Sequence, residues 1–275
     1  KHGPPIGSVL SLPKALPWEE VQRFTQFEYL RRTGWGVNPN ALLDAGRLTD
    51  AIQALDTEVR DHPTDKQRRT FLFELLCFAG KYDRAEKQLD VLAQASHEAA
   101  SGALFYRAAL HAERLREDLF SAGEFWKKQS ENPVHETPAG LLNGKAFVTL
   151  SDSDPRIGRR LEVFAAGAYL WIPFEHIVSI EVSPPRRLRD LLWATAHVQT
   201  TPAFQQADLG EVLLPVLAPL TSKHSSDAVK LGRETLWSDN ESESVVPSGQ
   251  KTFMMDEEEI PFLEVRTIEF QGEPG

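Results

Sequence analysis

Side chains able to do chemistry are present in this chain, but their spacing brings few of them together. Eight histidines, at positions 2, 62, 97, 111, 135, 176, 197 and 224, never pair at a distance that would aim two imidazoles at one metal. His97-Glu98 opens like a zinc-protease helix motif, yet Ser101 stands where the second histidine belongs. Ser248-Gly249-Gln250-Lys251-Thr252 is similar to the end of a phosphate-binding loop, but Gln250 separates the glycine from the lysine and Ser244 occupies the leading glycine position. An ordinary turn before a strand is expected there. These spacings predict no metal and no cofactor.

Cys77 is the only cysteine, which excludes an intramolecular disulfide framework and a Cys-rich zinc site and favours a reducing cytoplasm. Flanked by Leu76 and Phe78, it reads as a small buried hydrophobe rather than a nucleophile. Asp152 and Asp154 could form an acid pair, but within Ser151-Asp152-Ser153-Asp154-Pro155 they fit turn caps better. Arg186, Arg187 and Arg189 form the one compact basic cluster, suited to a carboxylate or phosphate or to a solvated turn. Tyr169, Trp171, Phe174 and Trp193 are dense, and Tyr169 and Trp171 should share one strand face, as core or as a recognition surface.

The elements that would position these groups come in two kinds. From Pro39 to about Leu119 the chain is rich in Ala, Leu, Glu, Arg and Gln at helical spacing, and it repeats with a period of 34: Leu42, Ala45, Gly46, Leu48, Ala51 and Leu55 align with Leu76, Ala79, Gly80, Tyr82, Ala85 and Leu89. That is the period of tetratricopeptide helix pairs. Each glycine suits a left-handed helix end, Thr49 and Asp83 are candidate caps for the second helices, and Pro63 closes the first unit. A further helix is expected over 100–119.

After a Ser, Gly, Asn and Pro-rich connection, short runs rich in Val, Ile, Phe, Tyr and Trp read as strands: 145–150, 160–165, 168–173, 177–182, 196–200, 212–217 and 263–270. A helical turn is expected at 188–193 and a short helix at 225–234. The fold class is therefore α+β with two domains, an all-helical tetratricopeptide-like superhelix followed by a strand-rich α+β domain. The expected division is an arm at 1–37, the helical domain at 38–120, a linker at 121–143 and the α+β domain at 144–275. In the arm, Trp18, Val21, Phe24, Phe27 and Leu30 suit an amphipathic helix, either a docking arm or a helix packed on its own domain and covering the first pair's exposed end.

The chain has 275 residues, with 30 Lys+Arg against 40 Asp+Glu and a formal net charge of −10, which argues against a general nucleic-acid binder. The acidity is local. Residues 239–275 hold ten acids against Lys251 and Arg266, while 38–130 are nearly balanced, with 13 basic and 15 acidic side chains. No apolar run reaches the roughly 18 to 20 residues a spanning helix needs, and the first twelve residues lack an apolar signal core, so a soluble protein is expected.

At Leu42-Leu43-Asp44-Ala45-Gly46-Arg47-Leu48, Phe71-Leu72-Phe73-Glu74-Leu75-Leu76-Cys77, Gln88-Leu89-Asp90-Val91-Leu92, Trp171-Ile172-Pro173-Phe174-Glu175, Leu188-Arg189-Asp190-Leu191-Leu192-Trp193, Arg233-Glu234-Thr235-Leu236-Trp237 and Val265-Arg266-Thr267-Ile268-Glu269-Phe270, the sequence resembles the ImpE family, also called SciE or TagJ. The likeness runs collinearly from about residue 40 to 270. It implies a tetratricopeptide-like domain followed by an α+β domain. It also implies a non-enzymatic accessory role in bacterial type VI secretion, with no cofactor and in the cytoplasm. The partner implied is the N-terminal helix of the small contractile-sheath subunit (TssB or VipA type), and indirectly the ClpV-type unfoldase that recycles the sheath.

A helical-repeat groove receiving such a helix would take its apolar side and read its charges at the rim. The candidate peptide-binding residues are Arg69, Phe73, Arg107 and His111, on the first helices of their pairs. Two other classes stay open on residues alone: a scaffold of another large assembly, and a hydrolase whose site would gather Asp152, Asp154 and His176 or His197.

Overall fold

The computed structural model of the chain describes residues 38–131, 133–134, 138–204, 208–239 and 245–271. The amphipathic stretch at 18–32 and the acids Glu241, Glu243 and Glu273 lie outside the described residues. Helices come first, each packed on the next: α1 (Pro39–Asp44), α2 (Leu48–Asp61), α3 (Lys66–Phe78), α4 (Tyr82–Leu92) and α5 (His97–Ser121). A short α6 (Phe125–Glu131) falls within the 121–143 connection.

The 34-residue period is visible in the hydrogen bonds. Gly46 donates its amide to Leu43 O and Arg47 to Leu42 O; 34 residues on, Gly80 donates to Cys77 O and Lys81 to Leu76 O. Both glycines are left-handed, at φ of 75° and 64°, so the two first helices end in the same C-terminal motif and for the same steric reason. Ala51, Leu55, Ala85 and Leu89 are then buried between the pairs.

Capping departs from expectation. Asn38, Asp65 and Ser96 accept first-turn amides of α1, α3 and α5 through their side chains, but Thr49 and Asp83 do not cap α2 and α4. Each is the second residue of its helix, already too far in to reach back to a free amide. Thr49 instead donates its own amide to Asp227 Oδ2 at 2.8 Å, so the N-terminus of α2 is capped from the strand-rich region. Asp83 accepts from Arg114 of α5.

The strand-rich region is built on an antiparallel eight-stranded sheet in the order β2-β1-β13-β6-β7-β8-β4-β5. Its strands are β1 (Gly140–Leu142), β2 (Lys145–Phe147), β4 (Arg160–Ala165), β5 (Ala168–Pro173), β6 (Ile177–Val182), β7 (Trp193–Thr200), β8 (Asp208–Pro215) and β13 (Thr267–Phe270). A three-stranded sheet joins β3 (Leu150–Asp152), β11 (Thr252–Met255) and β12 (Glu258–Pro261), and a hairpin joins β9 (Leu236–Asp239) and β10 (Val245–Ser248). The expected turn at 188–193 is a 3-10 helix over Leu188–Leu191.

The 225–234 helix shrinks to α7 (Asp227–Lys230), because Gly232 turns left-handed at φ 67° directly after it. The run expected as a strand at 263–270 begins as the 3-10 turn Phe262–Glu264 and extends only from Thr267. Strands β1, β9, β10 and β12 went unread because three or four residues carry too little alternation to register as a period of two.

Period-two alternation divides the large sheet between two cores. Leu161, Val163, Ile172, Ala194, Ala196 and Val212 enter one with Phe174, Phe253 and Phe262. Phe164, Tyr169, Trp171, Trp193 and Leu213 point the other way and join the helices in a single apolar cluster with Phe73, Leu76, Leu110 and Phe120. Tyr169 and Trp171 share a face as expected, and that face is core. The helical region and the sheet are therefore joined by a common apolar interior.

Candidate protein-docking site

Helix α5 has three sides with different neighbours. Arg107 reaches Asp90, and Arg114 reaches Asp83 and Glu86, so that side faces α4. Tyr106, Glu113 and Arg116 face α3 and the sheet. Among the described residues the third side has no such cover: Leu104 is 67% exposed, Leu115 is 43% exposed, and His111 is exposed between them. Phe105, beside Tyr106, is 43% exposed. The tight β4–β5 turn borders this side, close enough that a Cβ on Gly167 would lie 3.5 Å from that of Ala108.

Tyr106 is the centre of an aromatic group. Its ring centroid lies 5.7 Å from Phe73 of α3, 5.2 Å from Phe105 and 6.4 Å from Trp193 of β7, the last nearly parallel at 27°. The guanidinium carbon of Arg189 sits 4.6 Å from the Tyr106 ring centroid, a stacked cation–π contact. Arg189 Nη1 also donates to Glu74 Oε1 of α3 at 3.2 Å. Burial pushes the Glu74 carboxyl up to about 7 against the pull of Arg189. Asp190 accepts the backbone amides of Arg186 and Arg187 at 2.8 and 2.9 Å, which fixes the turn that carries all three arginines.

Of the four peptide-binding candidates, Phe73 is buried and forms the floor beneath Tyr106. Arg69 donates to Pro63 O and Gln88 Oε1, and Arg107 is paired with Asp90 at 2.7 Å; both sit on the seam with α4. His111 is exposed on the open side of α5. Sequence reasoning missed Tyr106, Glu74 and the inward turn of Arg189. The signal lay in two of the quoted motifs, one carrying Glu74 and the other Arg189 and Trp193, which meet in space 115 residues apart.

Below this group lies a buried ionic network joining α5 to the sheet. Glu162 of β4 accepts from Arg116 Nε and Nη2 at 2.8 and 3.0 Å, from Lys251 Nζ at 2.5 Å and from the Tyr169 hydroxyl at 2.5 Å. Arg116 also reaches Glu113 and Leu217 O, and Trp193 Nε1 donates to Glu113. Burial favours the neutral acid, but the Arg116 and Lys251 charges prevail and hold the Glu162 carboxyl at about 2. Lys251, read as part of a turn, has its ammonium in this network, 2.7 Å from Asp152. Asp152 and Asp154 do cap a turn, accepting the Asp154 and Arg156 amides.

Cys77, Tyr82, Glu113, Arg116, Trp193 and Ser222 line a cavity of about 20 Å³. Cys77 is buried there, and burial raises its thiol well above the usual range. His176 faces Phe204 and Glu175, while His197 is exposed on the sheet between its cross-strand neighbours Glu181 and Glu211. Among the described residues no group of three or more His, Cys, Asp or Glu could hold a metal ion, and no helix is long and apolar enough to cross a membrane.

A pair of repeated helix hairpins, locked by a buried ionic network onto an antiparallel sheet and presenting a helix side that no described residue covers, defines a two-part α+β scaffold. Comparison with known proteins places it further: the chain belongs to the ImpE family. The ImpE protein family model matches residues 144–269. The type VI secretion system accessory component TagJ of Pseudomonas aeruginosa is 32% identical over 260 residues, spanning 84% of this chain and 90% of that protein. An X-ray crystal structure of a Vibrio parahaemolyticus protein superposes with a TM-score of 0.76, covering 86% of this chain and 99% of that one at 23% identity, and so shares the fold.

Proposed function

We propose that this chain is a non-enzymatic accessory protein of a bacterial type VI secretion system, acting in the cytoplasm. In this reading it docks the N-terminal helix of the small contractile-sheath subunit, of the TssB or VipA type, and links the sheath to its ClpV-type recycling unfoldase. Membership of the ImpE family and the likeness to an accessory component support the system. One observation supports docking. Leu104 and Phe105 remain open beside the Tyr106 group on a rigid helix, a side that water solvates poorly and that an amphipathic helix would cover. Tyr, Trp and Arg concentrate binding energy at such sites. Phe73 is then the floor, while Arg69, Arg107 and His111 flank the ledge.

The test is a calorimetric titration of the full chain with a synthetic peptide of the sheath subunit's N-terminal helix. Saturable one-to-one binding is expected, and its absence would sink the docking role.

A further inference from the structure

The three arginines of the 186–189 turn are divided between two roles. Arg189 is 11% exposed, stacked on Tyr106 and bound to Glu74 through Nη1, and its buried Nε has no hydrogen-bond partner among the described residues. Arg186 and Arg187 are exposed. Arg187 is near enough for its charge to act on both Glu74 and Tyr106. Within residues 186–190 three arginines stand against Asp190, and Glu74 of α3 is the acid that Arg189 reaches, so the turn itself carries an excess of positive charge beside the aromatic ledge. That excess stands out on a chain whose net charge is −10.

We infer that the Arg186–Arg187–Arg189 turn is an anion-recognising corner of the docking ledge, which receives a carboxylate side chain of the docked helix while Phe105 and Leu104 receive its apolar side. This rests on the docking reading above and adds to it the charge that the partner must carry. A planar guanidinium already held by stacking and by Glu74 loses little further freedom when a second carboxylate arrives, which is the arrangement that makes arginine effective at such positions. The corner also sets direction, since an acidic residue near one end of an amphipathic helix can meet Arg187 in only one of the two antiparallel orientations along α5.

The experiment pairs protein and peptide variants. The sheath-subunit peptide and versions with each acidic residue changed singly to its amide are titrated against the full chain and against Arg187→Gln and Arg189→Lys. Arg187 is exposed, so its variant keeps the fold, and Arg189→Lys keeps the charge while losing the planar fork. Roughly fivefold to tenfold weaker binding is expected for each protein variant, with the loss vanishing for one particular amide peptide. If the peptide binds and both variants bind it unchanged, the corner is overturned and the docking reading stands.

If the peptide does not bind, phenylacetate decides, with phenethylammonium as its charge-reversed control. A saturating shift of the Arg189 Nε–H resonance by phenylacetate alone, absent in Arg187→Gln, supports the corner without that partner. No shift overturns it.

Discussion

The Arg116 guanidinium of α5 and the Glu162 carboxylate of β4 are joined by two parallel hydrogen bonds, 2.8 and 3.0 Å long, with side chains 3% and 0% exposed. Their partners extend the contact on both sides: Glu113 and Leu217 O on the arginine, Lys251 and Tyr169 on the glutamate. Two charges removed from water in this way are tolerable only while every one of these hydrogen bonds is present.

Removing one partner leaves the other buried and uncompensated. Arg116→Met should therefore cost about 3–5 kcal/mol in urea unfolding. Arg116→Lys should recover part of that, because a point charge satisfies one oxygen where the fork satisfied two. A loss below about 1 kcal/mol for Arg116→Met would mean that the apolar interface alone orients the helices on the sheet.

The two repeat glycines give a controlled comparison. Both have φ near +70°, so alanine at either position pays the left-handed strain of about 1–2 kcal/mol. At Gly46 the nearest outside atom to a new Cβ is the flexible end of Arg233, at 3.4 Å, whereas at Gly80 it is the Ser222 Cβ, at 2.9 Å. Gly80→Ala should be the costlier by about 1 kcal/mol or more, and adding Ser222→Gly should bring it level with Gly46→Ala. Equal losses for the two single variants would show that the contact with Ser222 is not tight.

Glu74 makes stability depend on pH with a definite sign. Its folded pKa of about 7 lies above the ordinary glutamate value of 4.5, so its contribution is fully present below about pH 4.5 and is lost as pH rises through about 7. The full span corresponds to about 3 kcal/mol. Glu74→Gln cannot ionise, so the difference in unfolding free energy between wild type and this variant should drift against the wild type from pH 5 to 8. A difference that stays constant across that range would place the Glu74 pKa at its ordinary value. Glu162 works in the opposite sense, its contribution present above about 4.5 and lost only as pH falls through about 2.

How much of this could be read from the sequence depended on whether the signal was periodic or pairwise. Gly46 and Gly80 were legible because a helix end repeats every 34 residues and glycine is nearly the only residue that tolerates it. Tyr169 and Trp171 were legible as sharing a face because strand alternation is geometric. Lys251, Asp227 and Arg189 were not, because each takes its meaning from a partner far along the chain: Glu162, the Thr49 amide and Glu74. A lysine in a turn-like stretch and an aspartate beside two serines look the same in sequence whether they face water or cap another element. The proposed docking ledge was half legible. Helical phase placed Arg107 and His111 on α5, but which side of α5 the sheet would cover depends on how the two regions pack, and local pattern does not encode that.

The uncovered side of α5 yields the sharpest separation between binding and stability. Leu104 and Phe105 are 67% and 43% exposed, so replacing either leaves no cavity, and Leu104→Glu or Phe105→Ala should change stability by no more than about 0.5 kcal/mol. Either should nonetheless weaken the sheath peptide tenfold or more, since each removes apolar surface, or introduces a charge, where the peptide's apolar side would lie. Leu115, at 43% exposure one turn beyond His111 on the same side, marks how far the ledge extends. If Leu115→Glu weakens binding as much as Leu104→Glu does, the docked helix runs along α5. If only the Leu104 end responds, the helix crosses α5 at the Tyr106 group. Binding and unfolding measured on the same three variants distinguish these cases, and normal binding by all three would remove α5 from the docking surface altogether.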